Sequence, residues 1–244
     1  MGNVTDTLLA VAGVLGGGSG GGGGGGEAVL VNKTVTANGT YASADDNADG
    51  YSEVTVNVPS KDYEASDWLD LSKPAGRIVS NVMPTAYSHQ YALTKRANVT
   101  QAFFTDAVYV SAYMFNDCAG LRSFVGPKVD YLNADAFYNC TNMESIDVLG
   151  GQGFGTDMVR GSTKFNTFVI RGNSVTPISN INTFRGTPFA SNGSGGTLYV
   201  PSALIAEYQN DTNWSTILGY PNNQIKAIEG SIYENQYADG TPIS

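Results

Sequence analysis

The chain has 244 residues, 22 of them acidic and 13 basic, for a net charge of -9, with 41% hydrophobic and 14% charged residues. Such an acidic chain repels phosphate backbones and anionic head groups, which removes the usual electrostatic drive for binding nucleic acid or a membrane surface. One histidine and two cysteines are too few for a soft-ligand zinc site within one chain, and 30 glycines beside nine prolines and fourteen tyrosines indicate a turn-rich β protein rather than a helical bundle.

Residues 1–15 place Val4, Leu8, Val11 and Leu15 at helical spacing, which predicts a short helix with one apolar stripe. Twelve such residues rise about 18 Å, well short of the ~30 Å core of a bilayer, so no membrane insertion is expected. No basic region precedes the apolar run, as a secretory signal requires, and Asp6 stands where myristoylation expects Ser or Thr. The segment is either a frayed leader or a peptide that docks into a larger assembly. Residues 16–26, all glycine except Ser19, favour docking, because they bury nothing and so form a flexible tether with a root-mean-square span of roughly 17–20 Å.

Residues 27–60 predict a small β module: Ala28–Val31, Lys33–Thr36 and Ser52–Val58 are extended runs, with Val54, Val56 and Val58 on one face and a tight-turn signal at Asn38-Gly39. Asp45, Asn47 and Asp49, followed by Gly50, match the first half of a calcium loop. Its twelfth position is Val56 rather than a bidentate glutamate, so an acidic hairpin turn is favoured over a metal site. The strings Thr34–Tyr41 and Asp49–Val58 resemble a module of structural proteins from phages and prophages of gut Firmicutes.

After a lead-in and capping segment over 61–98, an internal repeat begins. Phe115-Asn116-Asp117-Cys118-Ala119-Gly120-Leu121 aligns with Phe137-Tyr138-Asn139-Cys140-Thr141-Asn142-Met143 at a shift of 22 (140 − 118 = 22). That shift yields three apolar columns: Val99, Leu121, Met143 and Phe165; Ala102, Phe124, Ile146 and Phe168; Phe104, Gly126, Val148 and Ile170. A fixed period with the pattern apolar-x-x-apolar-x-apolar predicts a solenoid over 99–200 in which each coil supplies one short strand. Met158–Ser162 replaces the aromatic-Asn-Cys element in the next coil, and Gly150–Gly155 reads as a connecting loop, since no lysine follows to make a phosphate loop. Residues 201–244 predict a C-terminal cap: a strand at Gly196–Pro201 leads into a short helix at Ser202–Tyr208, then Asn213-Trp214-Ser215 and Ile225–Gly230.

The stretch Ala136–Ile146 and the order Tyr-Val-Pro, Asn-Trp-Ser, Ile-Lys-Ala-Ile-Glu resemble the BspA-like branch of leucine-rich repeat proteins. The fold class expected is mainly β with short helices, a leucine-rich-repeat-like solenoid of 22-residue period preceded by a small β module. The resemblance implies that Cys118 and Cys140, in one column with Ser162, are packed structural positions; a bond between them is neither required nor excluded.

Two surfaces are candidates for binding. Tyr87, Tyr109 and Tyr131 follow the period and form either an exposed aromatic ledge, suited to sugar rings or a protein partner, or part of the core. The positions Arg122, Ser123, Glu144, Ser145, Asn166 and Thr167 are expected to face outward from the strands, where Arg122, Glu144 and Asn166 are the binding candidates and a plain solvated face is the alternative. No nucleophile-base pair or metal-ligand spacing stands out, and His89 between Tyr87 and Tyr91 reads as a surface or packing residue, so no enzyme activity and no cofactor are expected.

The resemblances imply a virion-associated structural protein, a head or tail fibre or decoration. It would join other virion proteins through its N-terminal helix and meet a host surface protein or glycan through the solenoid; a homo-oligomer is compatible with this. The alternative is a BspA-like adhesin on a bacterial cell surface. A glycan-cleaving enzyme is the third reading, because two catalytic acids need no fixed sequence spacing.

Overall fold

An apolar-x-apolar run flanked by turn residues every 22 positions has one economical solution: each run becomes a strand, and successive runs pair in parallel with like positions in register. A computed structural model describes residues 30–35, 50–57, 75–81, 99–190, 195–219 and 224–243. Val4, Leu8, Val11, Leu15, the glycine tether, Asp45, Asn47, Asp49, Tyr87 and His89 lie outside the described residues.

The described chain is mainly β, with few short helices. Its strands are β1 (Leu30–Val35), β2 (Gly50–Val56), β3 (Ala75–Ser80), β4 (Val99–Phe104), β5 (Tyr109–Val110), β6 (Ser123–Gly126), β7 (Tyr131–Leu132), β8 (Ser145–Val148), β9 (Gly153–Phe154), β10 (Thr167–Ile170), β11 (Thr197–Val200) and β12 (Ile225–Ala227). Nine form one sheet in the order β1-β2-β3-β4-β6-β8-β10-β11-β12, and β5-β7-β9 form a second, narrow sheet. Every strand pair in both sheets is parallel. Each coil contributes one strand to the wide sheet and, in the repeat region, a second to the narrow one. This is a solenoid of stacked coils.

The core lies between the two sheets. Ala102, Phe124, Ile146 and Phe168 are cross-strand partners and all are buried. The rings stack from coil to coil, with Phe115 and Phe137 parallel at 5.1 Å and Phe124 tilted against Phe137 at 5.0 Å. Offset and tilted rings of this kind add to what area burial alone supplies.

The turns repeat as faithfully as the strands. Positive φ occurs at Tyr113, Asp135 and Asp157, and again at Asp117, Asn139 and Gly161, two columns each stepping by the period. Asp and Asn tolerate the left-handed region better than most residues, which accounts for their recurrence here. Side chains then tie coil to coil: Asn139 Nδ2 donates to Asp117 Oδ1 at 2.8 Å, Gln152 Nε2 to Asp130 Oδ2 at 2.6 Å, and Lys164 Nζ to Asn142 Oδ1 at 2.7 Å.

Cys118 and Cys140 are both buried thiols, with no disulfide between them. Cys140 Sγ donates to the Phe115 carbonyl at 3.0 Å, and Ser162 Oγ makes the equivalent bond to the Phe137 carbonyl at 3.0 Å. The column therefore demands a small donor, which explains how Ser162 replaces cysteine without loss of the coil.

Within 27–60 the described strands β1 and β2 belong to the same sheet as the strands of the repeats. β1 and β2 pair in parallel, and β3 joins β2 to β4, while the Asn38-Gly39 and Asp45–Asp49 turns lie outside the described residues. The lead-in segment likewise supplies a strand of the same sheet. Extended runs bounded by turn residues carry no mark of parallel or antiparallel pairing, and the wide sheet decides it.

At the other end, α1 (Ile205–Asn210) and α2 (Thr212–Leu218) cover the last coil. Asp211 caps α2 by accepting from the backbone of Asn213 and Trp214, both at 3.0 Å. Trp214 Nε1 donates to the Thr176 carbonyl at 2.8 Å, and the Tyr208 hydroxyl accepts from the Thr176 backbone at 3.1 Å, so the two cap aromatics grip one residue of the solenoid. Beyond these helices β12 extends the wide sheet, and residues 231–243 turn back across it.

Candidate functional site

Alternation along the strands assigns one residue in two to the outside of the wide sheet. One outer row is Val79, Phe103, Val125, Asp147, Val169 and Tyr199, partners across β3, β4, β6, β8, β10 and β11. Phe103, Val125, Asp147 and Val169 are nevertheless buried. What covers them is the C-terminal segment.

That segment forms a small hairpin. Gln236 and Pro242 bridge in antiparallel fashion, Tyr237 N–H donates to the Thr241 carbonyl at 2.7 Å, and Ile243 N–H to the Asn235 carbonyl at 3.0 Å. Its seat is built on two arginines. Arg171 holds Asp147 with Nε to Oδ1 at 2.7 Å and Nη2 to Oδ2 at 2.8 Å, and also donates to the carbonyls of Tyr233 and Gln236, each at 3.0 Å. Asp147 Oδ2 receives the Ala238 N–H at 2.9 Å. Arg77 Nη2 donates to Asp239 Oδ2 at 3.0 Å and to Thr241 Oγ1 at 2.7 Å, while its Nη1 meets Glu53 Oε2 at 3.0 Å. Between the arginines the Tyr237 ring sits edge-on to Phe103 at 5.3 Å and beneath the Arg171 guanidinium at 5.0 Å.

Burial pushes the Asp147 carboxyl up from its ordinary value, against the pull of Arg171 and the Ala238 N–H. The bidentate guanidinium and the backbone donor on its two oxygens favour the charged form. Burial likewise raises the hydroxyls of Tyr233 and Tyr237.

The positions predicted to face outward divide. Arg122, Glu144 and Asn166 are exposed and form a column at the head of the strands, their backbones continuing the ladder through Glu144 N–H to Arg122 carbonyl at 2.7 Å and Asn166 N–H to Glu144 carbonyl at 3.1 Å. Ser123 and Ser145 are not solvated but buried, because they fall on the covered face, and Thr167 is half-buried. The arginine-aspartate seat at Arg77, Asp147 and Arg171 was not among the predicted residues.

The narrow sheet presents the other surface. Tyr109, Tyr131 and Gly153 are partners across β5, β7 and β9, with Val110, Leu132 and Phe154 turned into the core. Tyr109 is 45% exposed, neighbouring Val108 is 53% exposed, and Tyr131 is half-buried. The third rung carries no side chain: the place a Gly153 Cβ would take lies 3.7 Å from the Tyr131 ring, which leans across it. Pairs of charged and polar groups flank the rings, Lys128 with Asp106 and Gln152 with Asp130. Tyr109 and Tyr131 are neighbours on this face, the first exposed and the second half-buried, and Tyr87, the third position of that column, lies outside the described residues.

No family model, curated protein or solved structure matches the chain. Among the described residues no group of three or more His, Cys, Asp or Glu side chains is placed to hold a metal, and no helix is long and apolar enough to cross a membrane. Asp135 and Asp157 lie one coil apart, and burial raises the Asp135 carboxyl against its hydrogen bond with Tyr113. Their left-handed backbones and the Asp157 contact to Arg160 at 3.3 Å give both acids a part in the repeating turn.

Proposed function

We propose that this protein is a non-catalytic, virion-associated structural protein of a phage or prophage of gut Firmicutes, a head or tail fibre or decoration. Its solenoid, of the BspA-like leucine-rich type, is presented to a host surface protein or glycan. The observation that carries the attachment reading is the Tyr109–Tyr131 pair: flat apolar rings with polar tips, Tyr109 exposed and Tyr131 half-buried, on a sheet of stacked coils. Support for the virion comes from the N-terminal sequence, where an apolar stripe at Val4, Leu8, Val11 and Leu15 precedes a glycine leash. In this reading the stripe docks into the particle and the leash sets the solenoid at a distance from it.

Gradient sedimentation of particles from the source culture, with mass spectrometry of the fractions, tests the reading. Co-sedimentation with capsid and tail proteins is expected, and deletion of residues 1–26 should abolish it while leaving the solenoid folded. Recovery in the cell-envelope fraction alone would instead make the protein a BspA-like adhesin of a bacterial surface, and unchanged incorporation of the deleted form would remove the docking role.

A further inference from the structure

The narrow sheet is a small target. Its strands β5, β7 and β9 have two residues each, and Val110, Leu132 and Phe154 turn inward, so the outer face measures only about 7 Å along the strands and about 10 Å across them. A stable protein partner needs roughly 800 Å² on each side, an order of magnitude more than this face offers. A narrow ligand fits instead. The apolar part of the face is the exposed Val108 and Tyr109 with the half-buried Tyr131, and the row ends at Gly153 without a side chain.

Charge and hydrogen bonding narrow the ligand further. Beside the rings Lys128 neutralises Asp106, and Gln152 Nε2 donates to Asp130 Oδ2 at 2.6 Å, so these four side chains leave one uncompensated negative charge on a chain of net charge -9. An anionic ligand is repelled, and a cationic one finds a single acid. Among the described residues, Asp130 Oδ1 and Gln152 Oε1 accept no hydrogen bond, which leaves two acceptors beside the rings for hydroxyl donors. A ligand with a flat apolar face and a rim of hydroxyls satisfies both halves of this surface, and a sugar has that form. We propose that the outer face of β5, β7 and β9 binds an uncharged glycan, its sugar rings lying against Tyr109 and Tyr131 and its hydroxyls donating to Asp130 Oδ1 and Gln152 Oε1. This rests on the attachment reading above and narrows its partner to a glycan.

The test uses the full chain, fluorescently labelled, on cells of the source culture left untreated, oxidised with periodate to open sugar diols, or shaved with protease. Adhesion should be lost after periodate and kept after protease, and raising sodium chloride from about 0.05 M to about 0.5 M should leave it unchanged, because an uncharged ligand offers no ion pair to screen. Gln152→Ala, an exposed change that leaves the coils intact by circular dichroism, should weaken adhesion about three- to tenfold. Adhesion that survives periodate but not protease, that falls steeply with salt, or that is the same for Gln152→Ala would overturn the glycan site while leaving attachment itself standing. Absence of adhesion to untreated cells would remove the attachment reading and this inference with it.

Discussion

The two faces of this solenoid are made by the same chain reversal, repeated at the same period, yet one is closed and the other open. On the wide sheet an apolar row at Phe103, Val125 and Val169, interrupted by Asp147, lies under the C-terminal hairpin; on the narrow sheet Tyr109 and Val108 meet water. The difference teaches that a periodic scaffold does not determine which of its faces is available. A non-repeating segment of about a dozen residues decides it, by matching two arginines and a ring.

The contrast can be broken most forcefully at Arg171. Replacing it by alanine strands the Asp147 carboxylate in a buried setting, and removing one partner of such a pair costs about 3–5 kcal/mol; urea denaturation should show this together with raised proteolysis of residues 231–243. A smaller effect sharpens the role of the interior that both faces share. Burial raises the Cys140 thiol well above its ordinary value, with the neighbouring Cys118 adding to the shift. The folded thiol therefore stays protonated while the unfolded one ionises near pH 8.5, so this contribution to stability is complete below that pH and declines above it by about 1.4 kcal/mol per pH unit. Denaturation midpoints between pH 7 and 10 measure the decline, and Cys140 should resist thiol reagents at pH 8 until the chain unfolds. Least of all, Tyr109→Ala on the open face should move stability by no more than about 0.5 kcal/mol, while abolishing adhesion of purified protein to host cells if the ledge is the contact.

Much of this was legible beforehand. The shift between Phe115–Leu121 and Phe137–Met143 places the core columns, whose members are buried, and Trp214 and Ile225 fall in α2 and β12. The covered face was not legible as such, for two reasons. In the pattern apolar-x-x-apolar-x-apolar the two adjacent variable positions attract attention, but the outward centre of each strand is the third, occupied by Phe103, Val125, Asp147 and Val169. Apolar residues on a nominally solvent-facing row, with one acid among them, are themselves a sign that something lies above. The hairpin then has no periodicity, and its contacts join residues as far apart as Arg77 and Asp239, a separation of 162 that no local pattern encodes.

The hairpin also constrains how this protein can change in length. Solenoids grow or shrink by whole repeats, and here a duplicated unit would keep its own turns, its buried donor and its stacked ring. Arg77, however, stands on β3 and Arg171 directly follows β10, and the order β3-β4-β6-β8-β10 separates these strands by four steps, roughly 19 Å. One coil more or fewer in that interval would shift one arginine relative to the other by about 4.8 Å, beyond the reach of a hydrogen bond. The C-terminal segment thus acts as a gauge of coil number, tolerant of added repeats before β3 and intolerant of them within the span it measures.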